Sequence, residues 1–369
     1  MKRSSFSRLA ATLLLSGSLL LQPAHAGDKT IVISQTIDLS GPNGAMGRDY
    51  VAGIATCFDA INAQGGLNGK RIKYVVQDDH GDPQLAAKLA GEVAERSDYV
   101  LGGIGDDNTQ AVLNNPTFRQ SNHLLFAPLS NPGKETEGRA LIWRPSQQLE
   151  IDYIFAWFEK LGIRQIGLAY QEERVNRNLL EYVKQNLQKR GLTLVGVAHV
   201  QKNQADTERE AQALAAKRPG LVISLSDSIG TGLFLRAFRK HAERTFVAGT
   251  SLINLPTLSE IAGIQSTEWT VFSQVVPNPG GTSTPLQTEH LAMMKRFRDE
   301  EVSSMTLEGY AVAKSLTKAI TLARGGNLQT ILSHKNIDLG GFSIAPVQQN
   351  GMSNFVDIAL LRRGRSLMF

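Results

Sequence analysis

At 369 residues the chain is longer than one hydrophobic core usually serves, so two structural units are the default expectation. The composition, 42% hydrophobic and 20% charged with 34 Gly and 13 Pro, is ordinary for a soluble globular protein and shows no low-complexity tract. The formal charge is +5, but without Lys2, Arg3 and Arg8 of the N-terminal segment the 39 basic residues become 36 against 34 acids, or +2, and no Lys/Arg block interleaved with aromatics remains to suit nucleic acid.

In chain order, Lys2, Arg3 and Arg8 precede an apolar run over 9–21 and the small-residue site Ala24-His25-Ala26. This is the pattern of a secretory signal, residues 1–26, cleaved after Ala26; the run is too short to span a bilayer. No Cys lies near the cleavage site, which disfavours a lipid anchor. A strand is predicted over 30–36, then a loop Ser40-Gly41-Pro42-Asn43-Gly44. A helix over 46–63 carries Val51, Ile54, Ala55, Phe58 and Ile61 on one face and stops at Gly65-Gly66. Cys57 in that helix is the only cysteine, so no internal disulfide forms, and a small buried hydrophobe is expected. After a strand over 71–77, Asp78-Asp79-His80-Gly81-Asp82-Pro83 leads into a helix with Leu85, Leu89 and Val93. These acids lack calcium-loop spacing and are read as a strand end and a helix cap.

Two apolar runs follow that break abruptly into polar residues. One is Tyr99-Val100-Leu101 with Gly102-Gly103-Ile104-Gly105-Asp106-Asp107-Asn108-Thr109; the other is Leu124-Leu125-Phe126-Ala127-Pro128 with Leu129-Ser130-Asn131-Pro132. They are read as strands three and four, whose loops form one wall of a cleft for a small polar molecule. Asp107 or Asn108 also suits the cap of a following helix. The glycines resemble half of a dinucleotide fingerprint but lack the third glycine and follow strand three, so no nucleotide site is expected.

A second strand–helix series begins with a helix carrying Ile151, Ile154, Phe155, Phe158 and Leu161. Strands are predicted over 165–170, 192–199, 221–225, 245–249 and 270–274, with helices over 178–189, 207–216 and 232–241. Two helices carrying Leu291, Met294, Phe297 and Tyr310, Ala313, Leu316, Ile320 follow, with strands at 342–346 and 355–361 closing the chain. Tyr310 and Trp269 are expected in the core. The alternation implies parallel sheets covered on both faces, in two α/β units.

Four stretches carry a resemblance: Leu39-Ser40-Gly41-Pro42 with Gly47; Ile61-Asn62-Ala63-Gln64-Gly65-Gly66-Leu67-Asn68-Gly69; Asp78-Asp79 with Asp82-Pro83; and Ile261-Ala262-Gly263. Glu308-Gly309-Tyr310 and Gly351-Met352-Ser353-Asn354-Phe355 fit with them. In this order and spacing the chain resembles the leucine/isoleucine/valine-binding family of periplasmic solute-binding proteins, which serve ABC importers. The resemblance implies a type I periplasmic binding fold, two Rossmann-like lobes with parallel sheets joined by a three-crossing hinge. Residues 28–145 plus 274–340 would form lobe one and 146–273 plus 341–369 lobe two, with crossings near Arg144-Pro145, Ser273-Gln274 and Gly340-Gly341.

It also implies a solute-contacting set: Asp106, Asp107, Asn108, Thr109, Leu129, Ser130 and Asn131 from the two loops, with Met46, Val175, Asp227 and Ser251. Several depart from the amino-acid binders. Asn108 and Asn131 stand for Ser and Thr, Val175 for a Tyr, Met46 for an aromatic, and Ser251 for the acid that meets a ligand ammonium. Asp106, Asp107 or Asp227 replaces that acid, or the ligand has no ammonium. The implied partners are a small solute and a membrane permease with its ATPase; a monomer without cofactor is expected. A sensor feeding a receptor or kinase is the alternative. The chain has no G-x-S-x-G, no H-E-x-x-H and no phosphate loop, and its histidines lack metal spacing, so an enzyme such as a hydrolase is not expected.

Overall fold

The computed structural model describes residues 30–130, 138–172, 177–201, 203–346, 351–364 and 366–369; the proposed signal segment, Asn131 and Val175 lie outside them. The first sheet is built from β1 (Ile31–Ile37), β2 (Ile72–Asp78), β3 (Tyr99–Leu101), β4 (Leu125–Phe126) and β5 (Ala140–Leu141). Its order is β2-β1-β3-β4-β5, and every pair is parallel. Helices α1 (Gly44–Ala63), α2 (Pro83–Ala94), α3 (Asp106–Asn114) and α4 (Pro116–Gln120) connect these strands. The α2 start is the expected one: Asp82 caps it, accepting from the N–H groups of Gln84 and Leu85 at 2.7 and 3.0 Å.

The second series comprises α5 (Gln147–Lys160), β6 (Gln165–Tyr170), α6 (Arg177–Lys189), β7 (Thr193–His199), α7 (Gln204–Ala216), β8 (Leu221–Leu225), α8 (Ser228–Phe238), β9 (Phe246–Gly249), α9 (Leu255–Ala262) and β10 (Thr270–Gln274). After α10 (Pro285–Phe297), α11 (Ser304–Ala323) and α12 (Leu328–His334) come β11 (Ile337–Asp338), β12 (Ser343–Ile344), β13 (Asp357–Arg362) and β14 (Ser366–Met368). The second sheet runs β14-β13-β10-β9-β8-β6-β7. Its β6 to β10 part is parallel, whereas β13 and β14 join antiparallel, an edge the alternation pattern did not reveal.

Two sequence expectations, the start of α8 and the burial of Trp269, differ from the structure. The strand expected over 342–346 is present in shorter form as β12, which pairs with β11 in a separate two-stranded ladder. Phe342, Ile344 and Met352 pack into the core of the first unit, and β13 pairs with β10 of the second sheet. Helix α8 starts at Ser228 rather than 232, because Asp227 caps it by accepting from Gly230 N–H at 2.7 Å. Trp269, expected in the core, is 41% exposed and sits edge-on to Phe246. Tyr310 is buried as expected.

Helices α1 and α11 pack closely, their backbones touching through glycines. A Cβ on Gly53 would lie 1.9 Å from the Thr306 carbonyl oxygen, and one on Gly309 2.1 Å from that of Tyr50. Gly309→Ala is expected to lower the stability by about 1–3 kcal/mol or more through overpacking, read as a lower urea midpoint. An unchanged midpoint in urea would contradict this contact.

His290 on α10 is fully buried, its Nε2 3.1 Å from Thr306 Oγ1 and its ring edge-on to Tyr310. Burial holds its pKa down, from 6.5 to about 4. The unfolded chain therefore takes up the proton first, and the neutral ring contributes stability above pH 6.5 that is lost as pH falls toward 4. Wild type is expected to lose stability relative to His290→Gln across that interval; a constant difference in urea melts would refute the assignment.

Candidate functional site

The first sheet changes direction of winding between β1 and β3, because β2 lies on one side of β1 and β3 on the other. The second does so between β6 and β8, with β7 on the far side of β6. Loops leaving a parallel sheet at such points diverge and leave a crevice. Most of the sequence-derived candidates fall there: Met46 just after β1, residues 106–109 after β3, and Asp227 after β8.

The first wall is built by close backbone packing. A Cβ on Gly102 would stand 2.5 Å from Pro128 Cα, and one on Gly103 2.5 Å from the Thr36 carbonyl oxygen, so both positions require glycine. Gln35 Nε2 donates to the Gly102 carbonyl at 2.6 Å. The β3–β4 pairing runs on past the strands: Leu129 N–H donates to Gly103 O at 2.8 Å and Gly105 N–H to Leu129 O at 2.9 Å. Leu129 thus spends its N–H on the sheet and its side chain on the core, shaping the wall without offering a donor.

Gly105, at φ 100°, then turns the chain into α3 as its N-cap. Asp107 or Asn108 as the cap is therefore corrected: both lie inside the first turn, behind Asp106. Asn108 and Thr109 are buried, as is Ser130 on the neighbouring loop. Asn108 Nδ2 and Thr109 Oγ1 have no hydrogen-bond partner, and neither does Oδ2 of the buried Asp79, which follows β2. Buried polar groups are normally paired, so a cluster of three unpaired ones at the open end of a sheet marks a place built for something else. Their proximity to the α3 N-terminus adds a partial positive charge.

In the second unit, Asp227 caps α8, and its own N–H donates to Gln171 Oε1 at 3.2 Å. Ser226 Oγ beside it is buried and unpartnered. Ser251 follows β9, where the resemblance expects an acid. Its N–H and hydroxyl both donate to Glu150 Oε2, at 2.9 and 2.6 Å, and its hydroxyl accepts from Arg144 Nη2 at 3.0 Å. Arg144 Nε in turn donates to Glu308 Oε1 at 2.7 Å, and Ser273 hydroxyl to Glu150 Oε2 at 2.6 Å. An acid does stand at this corner, one layer behind Ser251 and bound to it.

Sequence reasoning missed Arg144, Glu150 and Glu308. Glu308 was visible only as part of Glu308-Gly309-Tyr310, and no local signal linked residues so far apart in the chain. Burial raises the Glu308 pKa against the pull of Arg144, with Glu150 adding to the rise.

The two units also touch at the cleft mouth. Asn254 Nδ2 and Thr257 Oγ1 both donate to the Pro42 carbonyl oxygen, at 2.8 and 3.2 Å. Beside this contact lies a cavity of about 610 Å³ lined by Met46, Ser251 and Asn254 among others. Asn108, Thr109, Leu129, Ser130 and Asp227 do not line it. The structure therefore brings Met46 and Ser251 together at one place and the α3 residues with Ser130 at another.

Glu308→Ala leaves the Arg144 charge buried without its main partner and is expected to cost about 3–5 kcal/mol of stability. A loss below about 1 kcal/mol, the range of exposed ion pairs, would contradict the buried pair.

Comparison with known proteins agrees with the fold. Residues 30–332 match the model of a family described as periplasmic binding protein. A Leu/Ile/Val-binding protein homolog 1 from Brucella melitensis is 24% identical over 321 residues, covering 82% of this chain and 81% of that protein. A Leu/Ile/Val/Thr-binding protein from Salmonella typhimurium is 25% identical over 260 residues, 68% of this chain and 70% of its own. Among solved structures, an extracellular ligand-binding receptor from Verminephrobacter eiseniae superposes with TM-score 0.81 at 20% identity, covering 92% of this chain and all of that one. A branched-chain amino acid transporter substrate binding protein from Streptococcus pneumoniae, in complex with isoleucine, gives 0.75 at 17% identity over 92% of this chain and 99% of its own. With the match spanning most of the chain, and two α/β units that touch where Pro42 meets Asn254 and Thr257, the protein belongs to the periplasmic binding protein family, whose members bind solutes and are not enzymes.

Proposed function

We propose that this chain is the exported solute receptor of an ABC importer, binding a small polar solute, an amino acid or a related amide or carboxylate, and delivering it to a membrane permease with its ATPase. Processing after Ala26 would release the mature chain into the periplasm as a monomer. The two lobes would be 28–145 with 274–340, and 146–273 with 341–369, although Phe342, Ile344 and Met352 pack in the core of lobe one. Closure by rotation of one lobe on the other would bring the α3 wall against the loops after β6, β8 and β9.

The observation that carries this reading is the set of buried, unpartnered polar atoms at the α3 N-terminus, Asn108 Nδ2 and Thr109 Oγ1, at a sheet switch point. Such groups cost about 1–3 kcal/mol each when left without a partner, and a hydrogen-bonding solute removes that cost. The relatives support the solute class: the Salmonella protein is named for Leu, Ile, Val and Thr, and the Streptococcus structure holds isoleucine. In this chain Ser251 engages Glu150 and Arg144, so its corner differs from one with an acid directly against the ligand.

The test is a melting screen of the chain starting at Gly27 against amino acids, amides and short carboxylates. A true ligand at a hundredfold excess over its Kd is expected to stabilise the protein by about 2.7 kcal/mol. No shift with any of them would contradict the reading.

A further inference from the structure

Two donors at the N-terminus of α9 converge on one carbonyl of the other unit, Asn254 Nδ2 and Thr257 Oγ1 on the Pro42 oxygen at 2.8 and 3.2 Å. Each side of this contact is fixed by its own unit. Asn254 is the N-cap of α9: its Oδ1 accepts from Thr257 N–H at 3.3 Å, and its own N–H donates to Ser228 Oγ, at the start of α8, at 2.9 Å. With the amide oxygen engaged in the cap, the amide nitrogen is the end left to face Pro42. On the other side, Asp38 accepts from the N–H groups of Gly41 and Asn43, so Pro42 lies between two tethered residues. Gly41 also lies flat against the loop after β2, where a Cβ would stand 2.3 Å from the His80 carbonyl oxygen. The Pro42 carbonyl is therefore a preset acceptor at the positive end of α9. Asn254 is 3% exposed, so that side of the contact is sealed from water.

Resting on the solute-binding reading above, we propose that Pro42, Asn254 and Thr257 form a clasp, made when the two units close and broken when they open, that sets how long a solute is held without choosing which solute. Pro42 lies between β1 and α1 and Asn254 between β9 and α9, on the ends of different sheets, so a rotation that parts the sheets lengthens both bonds together. The clasp consists of protein atoms alone, and its contribution to the closed state is the same whatever occupies the cleft. Such a contact acts through the share of molecules that are closed, and it changes the affinity for every solute by one factor. Its loss speeds release more than it slows capture. Groups that meet the solute act differently, because changing them alters the ratio of affinities between solutes.

Three substitutions isolate the clasp from the helix it stands on. Thr257→Val keeps the shape and removes the hydroxyl, and Thr257→Ser restores it. Asn254→Asp keeps an oxygen for the α9 cap and puts an acceptor where the donating nitrogen was. The experiment is distance measurement by pulsed electron paramagnetic resonance on the mature chain, with nitroxides at Ser40→Cys and Glu260→Cys. Both positions are exposed and flank the contact on opposite units, while Cys57 is buried and stays unlabelled. Without solute, the labels are expected to report a short and a long distance. Thr257→Val and Asn254→Asp are each expected to lower the short-to-long ratio by about threefold to tenfold, with Thr257→Ser near wild type. For compounds that raise the melting point, calorimetry and stopped-flow release are expected to give one common rise in Kd, carried by faster release. A wild type without the short distance, or a ratio that neither variant moves, overturns the clasp. A Kd that rises for one compound and not for another overturns its indifference to the solute. Label distances that respond to the variants, with no compound of the melting screen shifting the protein, overturn the solute-binding reading and leave the clasp standing as a contact between the units.

Discussion

The Arg144 guanidinium is the point at which the two halves of the molecule are tied together. It binds Glu308 of α11 on one side and Ser251, beyond β9, on the other, and Ser251 is held by Glu150 of α5. All four residues are buried. Taking a guanidinium and two carboxylates out of water is costly, and that cost is offset by hydrogen bonds from Arg144 Nε and Nη2 to Glu308 and Ser251 and by three donors on Glu150 Oε2. The backbone around Arg144 is equally confined. A Cβ on Gly351 would lie 1.8 Å from the Arg144 carbonyl oxygen, and Met352 and Ser353 donate to the carbonyls of Ile142 and Trp143. A buried polar network of this kind specifies one arrangement of the segments that meet there, which a purely apolar contact would do less strictly.

From that tie the rest of the cleft follows. The loop that starts at Ser251 leads to Asn254, the cap of α9, and to Thr257 in its first turn, and both donate to the Pro42 carbonyl of the opposite unit. One loop of the second unit is thus anchored at its base to the ionic network and at its tip to the first unit. The Pro42 loop is itself rigid, because Asp38 accepts from the N–H groups of Gly41 and Asn43 at 2.6 and 2.9 Å. Motion of one unit on the other must break the Asn254 and Thr257 bonds to Pro42, of which the Thr257 bond is exposed, while Arg144 and Glu308 are buried.

Much of the fold was legible because parallel strands buried on both faces read as short apolar runs. The strands over 221–225 and 270–274 agree with β8 and β10 to the residue. What escaped notice had physical reasons. Helix α3 has little apolar character and opens with two acids, so its residues read as loop; the tertiary contact of Leu129 with Ile104, not propensity, sets where it begins. Helix α8 contains Gly230 and Gly232, poor helix formers. Gly232 is there for packing, a Cβ on it standing 2.8 Å from Ile261, so the local signal understated the helix. Strands β5 and β14 are two and three residues long, too short to show a period.

The site was legible as a location rather than as chemistry. Asp106, Asp107, Asn108 and Thr109 were picked out by the abrupt end of an apolar run, and they do lie at a switch point. What surrounds Ser251 depends on a partner distant in sequence, Glu150, which accepts from its N–H and its hydroxyl. No local pattern relates residue 150 to 251, and only the folded chain brings them together. The central claim is that two units close on a solute held between them. Small-angle scattering of the mature protein with and without a solute that raises its melting point tests this most directly. The account predicts a smaller radius of gyration in the bound state; an identical scattering envelope at saturation would contradict it.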